Sequence, residues 1–211
     1  MDSVSNAQDY EKELTRIFNR FNKHFWNNEL PEVIITFAPT KRAHGHLTVN
    51  PVWESEHEGS KYELNISANT IGRSPEEICA TLLHEQCHLY AISQKPPIKD
   101  TSNNYRYHNN RFKLIAESHG LIQSYDDTIG WSHSELTEES KAYVKKLNVK
   151  QFTYQRTSSS GKGGNLIHMV CPNCGRASVY CSSPQHVLCG SCKYPLKVVP
   201  KRTPKKKTTQ I

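Results

Sequence analysis

The stretch His84-Glu85-Gln86-Cys87-His88 decides the fold, because it sets two histidines four residues apart around a glutamate. On an α-helix this spacing places both imidazoles on one face, about one turn apart. Two such imidazoles can bind one Zn²⁺ at about 2.0–2.1 Å. Glu85 projects to the side, where it can take a proton from a water molecule on the metal. The pattern therefore predicts a zinc hydrolase helix.

Residues before and after the motif predict that it lies inside a helix. Ser74 suits an N-cap, Pro75 suits the first helical position, and Glu77 completes a capping box. Apolar residues then recur at helical spacing on a face turned away from His84; they are Ile78, Leu82 and Leu89. The alternative is a surface helix with two solvated histidines. A clean helix start before the motif favours the metal site.

The third zinc ligand is open from local pattern alone. A catalytic zinc takes three protein ligands and keeps one position free, and the downstream candidates are His108, Glu117 and His119. A helix predicted over 109–118 separates the two histidines by about 16 Å, so both cannot bind one ion. The pattern favours His108, with His119 as a histidine near the helix C-terminus.

Three parts of the chain resemble the SprT-like, or Spartan-related, metallopeptidases: residues 21–31, 63–88 and 107–112. That family carries His-Glu-x-x-His and then a zinc histidine in a His-Gly-x-x-Phe/Trp context. His108 and Phe112 match this context, and Asn109 stands in place of the glycine. The resemblance covers roughly residues 10–195, because SprT-like proteins commonly end in a zinc ribbon.

The resemblance implies an α+β, zincin-like fold and the hydrolysis of peptide bonds. It implies that His84, His88 and His108 hold a catalytic zinc and that Glu85 is the catalytic base. It also implies substrates that are DNA-associated or DNA-crosslinked proteins. One alternative is a nucleic-acid-binding adaptor whose zincin domain is regulatory or weakly active. Another is a zinc hydrolase that acts on small amides, and the presence of Glu85 argues against an inert scaffold.

Two Cys-x-x-Cys pairs predict a second, structural zinc site. Cys171 and Cys174 are separated from Cys189 and Cys192 by 14 residues, a spacing that closes a tetrahedral Cys₄ ribbon. The alternatives are disulfides or a redox dithiol, and a redox Cys-x-x-Cys would not explain the second pair. The chain has seven cysteines and no secretory signal, which favours a reduced, intracellular setting. We therefore expect one catalytic and one structural zinc.

Charge is distributed unevenly along the chain. Residues 1–150 hold 17 Lys/Arg and 20 Asp/Glu, a net charge of −3, whereas residues 151–211 hold 10 Lys/Arg and no acid. Such a basic end is typical of a segment that binds a polyanion. Its last part carries five basic residues: Lys201, Arg202, Lys205, Lys206 and Lys207. We expect phosphate contacts to single-stranded or duplex DNA, without sequence specificity; a solvated tail is the alternative.

The expected organisation has four parts: a zincin-like domain at 1–150, a flexible linker at 151–164, a Cys₄ zinc ribbon at 165–199 and a disordered basic tail at 200–211. Hydrophobic periodicity predicts an amphipathic helix over 10–25, strands over 33–38, 46–49 and 62–66, and a later helix over 138–147. No apolar run is long enough to span a membrane, so we expect a cytoplasmic protein without a membrane partner.

Overall fold

A computed structural model of the chain describes residues 3–41, 43–156 and 166–199. The chain divides into two compact units, at 1–158 and 159–211. Among its described residues, the first unit contains four α-helices, α1 (Ala7–Phe25), α2 (Pro75–Ser93), α3 (Asn110–Ser118) and α4 (Glu138–Leu147), and a short 3-10 helix at Ala68–Thr70. Its strands are β1 (Ser3–Val4), β2 (Val33–Thr36), β3 (Gly45–Leu47), β4 (Trp53–Ser55), β5 (Gly59–Ile66), β6 (Thr101–Ser102), β7 (Tyr107–His108), β8 (Leu121–Asp126), β9 (Gly130–Leu136) and β10 (Gln151–Phe152).

Helix α2 is the central element of the first unit. It begins with the predicted capping box, in which the Ser74 hydroxyl accepts from the Glu77 backbone N–H and the Glu77 side chain accepts from the Ser74 backbone N–H. Most of its residues after the first turn are buried, since it packs between α1, both four-stranded sheets and α3. The apolar face of α1 covers it, with Leu14, Ile17 and Phe21 almost fully buried.

A buried amide ties α1 to α2. The Gln86 side chain accepts a hydrogen bond from Trp26 Nε1 at 3.2 Å and donates one to the Phe18 carbonyl at 3.0 Å. Both Gln86 donor and acceptor functions are thereby used inside the core, as buried polar groups require. The middle of the motif helix is fixed against its neighbour by this pair of bonds.

The first four-stranded sheet brings strand β3 over the motif helix. Its order is β2-β5-β3, with β4 also paired to β5; β2 runs parallel to β5 and β3 antiparallel. At Gly45 a Cβ atom would lie 2.9 Å from the Asn65 carbonyl oxygen and 3.1 Å from Glu85 Oε1. A glycine at this position lets β3 approach the motif carboxylate closely.

The second four-stranded sheet, of order β6-β7-β9-β8, positions the segment that ends in His108. Strand β7 pairs with β9 in parallel, with His108 opposite Gly130. Gly130 has a φ of +71°, and a Cβ there would lie 2.1 Å from the His108 carbonyl oxygen. Glycine therefore permits this strand contact, and the contact fixes the backbone of the third histidine.

The predicted linker at 151–164 needs a correction at its start. Gln151 and Phe152 form β10, which pairs in parallel with β1 near the N-terminus. Phe152 packs against Tyr10 and Phe37, with ring centroids 5.1 and 5.2 Å apart, and so belongs to the first unit. Residues 151–156 contain no Pro, Gly or Ser, and Phe152 is packed, so this part does not have the composition of a flexible linker. Residues 157–164 lie outside the described residues.

The second unit contains a three-stranded sheet of order β12-β11-β13, where the strands are β11 (Ile167–Val170), β12 (Ser178–Cys181) and β13 (Lys197–Val198). Its small core combines Met169 and Leu196 with two cysteines. Few apolar side chains are buried here, so metal binding would contribute most of its stability. The architecture of both units together is α+β, as predicted.

Candidate metal centre

Three histidines from two elements converge at one point of the first unit. The Nε2 atoms of His84 and His88, both on α2, lie 3.2 Å apart, and His108 Nε2 lies 3.2 and 3.1 Å from them. A tetrahedral site with Zn–N bonds of about 2.0–2.1 Å would separate its nitrogens by about 3.3 Å. These three residues therefore fit a zinc ion, and the structure brings together the histidines predicted from sequence.

Each histidine has a hydrogen-bond partner at its other ring nitrogen, Nδ1. His88 Nδ1 lies 2.6 Å from Asp100 Oδ2, and His108 Nδ1 lies 3.3 Å from the Ile129 carbonyl oxygen. His84 Nδ1 lies 2.7 Å from the Ser134 hydroxyl. Since a carboxylate and a carbonyl can only accept, the protons of His88 and His108 sit on Nδ1. Their Nε2 lone pairs then face one another, an arrangement that a cation stabilises.

Burial keeps two of these histidines neutral. Desolvation, together with the neighbouring His88, holds the pKa of His84 well below its usual range and lowers that of His108 to about 4. For His88 burial acts in the same direction, but the Asp100 carboxylate outweighs it and raises the pKa. Metal ligands must be deprotonated, so neutral imidazoles at physiological pH suit metal binding.

Glu85 lies beside the histidines and is 5 % exposed. Burial raises its pKa to about 7, although His88 and a hydrogen bond from the Leu47 backbone N–H act in the opposite direction. The Leu47 contact comes from β3, the strand whose Gly45 allows the close approach. A carboxyl group with a pKa near neutrality can both accept and return a proton, which is what a general base and acid requires.

Phe112 packs against all three histidines from within α3. Its ring centroid lies 4.6 Å from those of His84 and His88 and 4.7 Å from that of His108. Phe112 is fully buried, so the imidazoles rest against a rigid aromatic surface. The contact explains physically why an aromatic residue occurs four positions after the third histidine.

The second unit brings its four predicted cysteines together. Cys171 Sγ lies 3.5 Å from Cys192 Sγ and 3.6 Å from Cys174 Sγ, and Cys174 Sγ lies 3.5 Å from Cys189 Sγ. Tetrahedral zinc with Zn–S bonds of about 2.3 Å would separate its sulfurs by about 3.8 Å, so these residues also fit the metal.

Backbone amides of the knuckles favour the thiolate form of two cysteines. The N–H groups of Cys192 and Ser191 point at Cys189 Sγ and lower its pKa to about 6. The N–H groups of Cys174 and Asn173 lower the pKa of Cys171 in the same way. Thiolates are the form that binds zinc. Cys181 lies outside the group of four, with its Sγ 3.7 Å from Met169 Sδ.

The other residues considered from sequence as the third zinc ligand do not join the three-histidine group. The half-buried His119 stacks on the core residue Trp26 with ring centroids 3.9 Å apart, and its Nδ1 lies 2.7 Å from the Ile115 carbonyl oxygen, so its contacts are structural. Glu117 is partly exposed and faces Lys113. The five basic residues predicted to contact nucleic acid lie outside the described residues: Lys201, Arg202, Lys205, Lys206 and Lys207.

Sequence reasoning missed Asp100, Ser134 and Gln123. Asp100 follows His88 by 12 residues in a segment without clear periodicity, and the two others lie on an unpredicted hairpin. Lone Asp, Ser and Gln residues carry no spacing signal. A search for a buried acceptor for each histidine Nδ1 is what identifies them.

Comparison with protein families agrees with this geometry. The model of the SprT-like family matches residues 14–130, more than half of the chain. The chain belongs to the SprT-like family. Its first unit is therefore a metallopeptidase-like domain of the zincin type, and the SprT-like match includes all three histidines but ends before the cysteine group of the second unit, Cys171, Cys174, Cys189 and Cys192. Comparisons with curated proteins and with solved structures find no match.

None of the helices among the described residues has the length and apolar character that a membrane crossing needs.

Proposed function

We propose that this chain is a zinc-dependent metallopeptidase that hydrolyses peptide bonds. The observation that carries the proposal is the convergence of three histidine Nε2 atoms within 3.1–3.2 Å, next to a buried Glu85. Zinc held by His84, His88 and His108 would supply Lewis-acid activation of a water molecule and of the scissile carbonyl.

Glu85 moves the proton in this proposal. The Leu47 N–H and the close passage of β3 hold its carboxylate in place. Its carboxylate accepts a proton from the attacking water and donates it to the leaving amine nitrogen. Zinc alone would not need a carboxylate at this position, so Glu85 favours catalysis over a purely structural metal site.

The proposal is tested by Glu85→Gln, which keeps the side-chain volume but removes the base. We expect peptide hydrolysis to fall by at least about 10²-fold, the low end for a lost general base, with the zinc content unchanged. Glu117→Gln, the same substitution at a partly exposed position, is the matched control and should retain activity. Unchanged turnover of zinc-loaded Glu85→Gln protein would refute the mechanism. A zinc-loaded wild type without hydrolysis would favour the adaptor alternative.

We further propose DNA as a partner, with DNA-associated or DNA-crosslinked proteins as substrates. Binding of enzyme and substrate to one strand would raise their effective concentration. Supporting this, residues 166–199 contain Arg176, Lys193 and Lys197 and no acidic residue. Two tyrosines of this unit are also largely exposed: Tyr194 is 51 % exposed, and Tyr180 is 66 % exposed although one face of its ring stacks on His168 with centroids 4.4 Å apart. A unit that combines cations with exposed aromatic side chains suits phosphates and stacked bases.

Truncation separates the two basic regions. Removing 165–211 should abolish most DNA affinity and leave the histidine site intact. Removing only 200–211 should reduce the log–log salt dependence by about 0.7–0.9 per lost phosphate contact. Tyr180→Ala should weaken single-stranded DNA binding, whereas Tyr154→Ala, at a first-unit tyrosine that is 62 % exposed, should not. Equal binding by every form would refute the DNA proposal.

A further inference from the structure

A chain of hydrogen bonds runs from His84 into the β8–β9 hairpin. His84 Nδ1 lies 2.7 Å from Ser134 Oγ, and the Ser134 hydroxyl donates to Gln123 Oε1 at 2.9 Å. Gln123 is 7 % exposed, and its Nε2 has no hydrogen-bond partner among the described residues. Gln123 and Ser134 are also opposite each other in the register of β8 and β9. The pairing of β8 with β9 thus fixes the backbones of both Gln123 and Ser134.

The direction of these bonds sets the tautomer of His84. A serine hydroxyl has one proton, and Ser134 gives it to the Gln123 carbonyl oxygen. Ser134 Oγ must then accept from His84 Nδ1–H, which leaves the Nε2 lone pair directed to the metal centre. Were Ser134 to donate to Nδ1 instead, Nε2 would carry the proton and could not bind a metal.

Asp100 sets the tautomer of His88, with a carboxylate in place of a hydroxyl as the acceptor. Its carboxylate lies 2.6 Å from His88 Nδ1 and the residue is 5 % exposed. The Asp100 carbonyl accepts from the Asn109 backbone N–H at 3.0 Å, and Asn109 is the N-cap of α3, directly after His108. Asp100 is therefore anchored to the segment that supplies the third histidine. An ionised carboxylate only accepts, so it enforces the Nδ1–H tautomer.

We propose that Asp100 and the Ser134–Gln123 pair are positioning residues that fix the tautomer and ring orientation of two metal-ligand histidines. The inference rests on the proposed metal site and deepens the proposed function. It assigns the β8–β9 hairpin a role in metal affinity. Mutation of a hydrogen-bond partner of a metal-binding histidine typically weakens metal affinity by about 10–100-fold.

The test is the zinc dissociation constant of the histidine site in the full chain, measured by chelator competition with zinc counted per chain. Asp100→Ala should weaken binding by about 10–100-fold, and Asp100→Asn less, because its amide oxygen still accepts. Ser134→Ala should weaken binding by about tenfold, and Ser134→Thr, which keeps the hydroxyl, should restore most of the affinity.

Substitutions of Gln123 test the direction of the hydrogen bonds that join His84, Ser134 and Gln123. Gln123→Glu keeps an acceptor for the Ser134 proton and should retain zinc affinity. Gln123→Met has similar length but no such acceptor, frees the Ser134 proton for His84 Nδ1 and should weaken zinc binding. Both variants keep the side-chain size, so their comparison remains valid if an alanine variant fails to fold. Matched controls are Ser124→Ala and Asp127→Ala, at exposed positions of the same hairpin.

Wild-type affinity in Asp100→Ala and Ser134→Ala, or equal losses in the two controls, would overturn the proposal. So would equal affinities of Gln123→Glu and Gln123→Met. The ribbon site should keep its zinc throughout and serves as the internal reference. If the affinities follow the expected order but the wild type hydrolyses no peptide, the proposed function fails and the positioning role stands. An active wild type with unchanged variant affinities refutes the positioning role alone.

Discussion

Replacement of Phe112 should separate support of the metal centre from ordinary core stability. Its ring contacts all three histidine rings at 4.6–4.7 Å and is fully buried. Phe112→Leu removes much less buried volume than Phe112→Ala, so its cost in unfolding free energy should be clearly smaller. Phe112→Ala should cost about 3–5 kcal/mol, a large part of the stability of a typical domain. The leucine variant is therefore the informative one.

The expected loss of zinc affinity follows from the same contacts. Each aromatic pair is worth about 0.5–1.5 kcal/mol beyond its buried area. Loss of the equivalent of one full contact, about 1.4 kcal/mol, corresponds to tenfold weaker binding. We therefore expect zinc to bind Phe112→Leu about two- to tenfold more weakly at the histidine site, as measured by chelator competition.

Phe21→Leu is the matched control, because Phe21 is also fully buried but packs against Phe25 and Tyr143. Both variants should lose similar unfolding free energy in urea titrations of the metal-free protein. Only Phe112→Leu should lose zinc affinity. Equal zinc affinities of the two variants, whether both match the wild type or both are weakened, would refute the view that Phe112 orients the imidazoles.

Further outcomes can be measured on the same protein. Ser74→Ala should cost about 0.5–2 kcal/mol in thermal or urea unfolding through loss of the α2 cap, and no cost would contradict the capping role. Cys171→Ser should release one zinc per chain, by elemental analysis, while peptide hydrolysis persists in the first unit; release of both ions would contradict independent sites. Burial opposes ionisation of Glu13, but hydrogen bonds from Arg16 and the Lys150 N–H lower its pKa below the usual 4.5. Its stabilisation is therefore complete above that value and is lost as pH falls through the lowered pKa. Acidification should destabilise the wild type more than Glu13→Gln, and equal acid sensitivity would contradict this assignment.

Local signals were enough to predict the helices. The capping box and proline at the start of α2 are read from adjacent residues, and the structure places that helix at Pro75–Ser93. The helix predicted over 138–147 is α4, with Thr137 as its N-cap. In such segments the interactions that start and stop the helix lie within four residues along the chain. Sequence alone therefore contains them.

The β8–β9 hairpin was not predicted, and the metal centre is the physical reason. A half-buried strand is recognised by alternating apolar and polar residues. On this hairpin the buried positions include Gln123, and Ser134 is partly buried, because this side faces His84. Polar residues at inward positions remove the alternation. The polar contacts through which we propose that the hairpin supports the metal site are therefore also the reason that a hydrophobic pattern does not predict it.

The choice between His108 and His119 likewise depends on contacts that are distant along the chain. Spacing alone excluded the possibility that both bind one ion and left either possible. In the structure β7 pairs with β9, and the approach of Gly130 to the His108 carbonyl holds that residue beside α2. His119, at the other end of α3, is instead stacked on Trp26 in the core. Strand pairing across 22 residues thus brings His108, the candidate third ligand, to the other two histidines; no helical period contains this information, and a glycine permits the pairing.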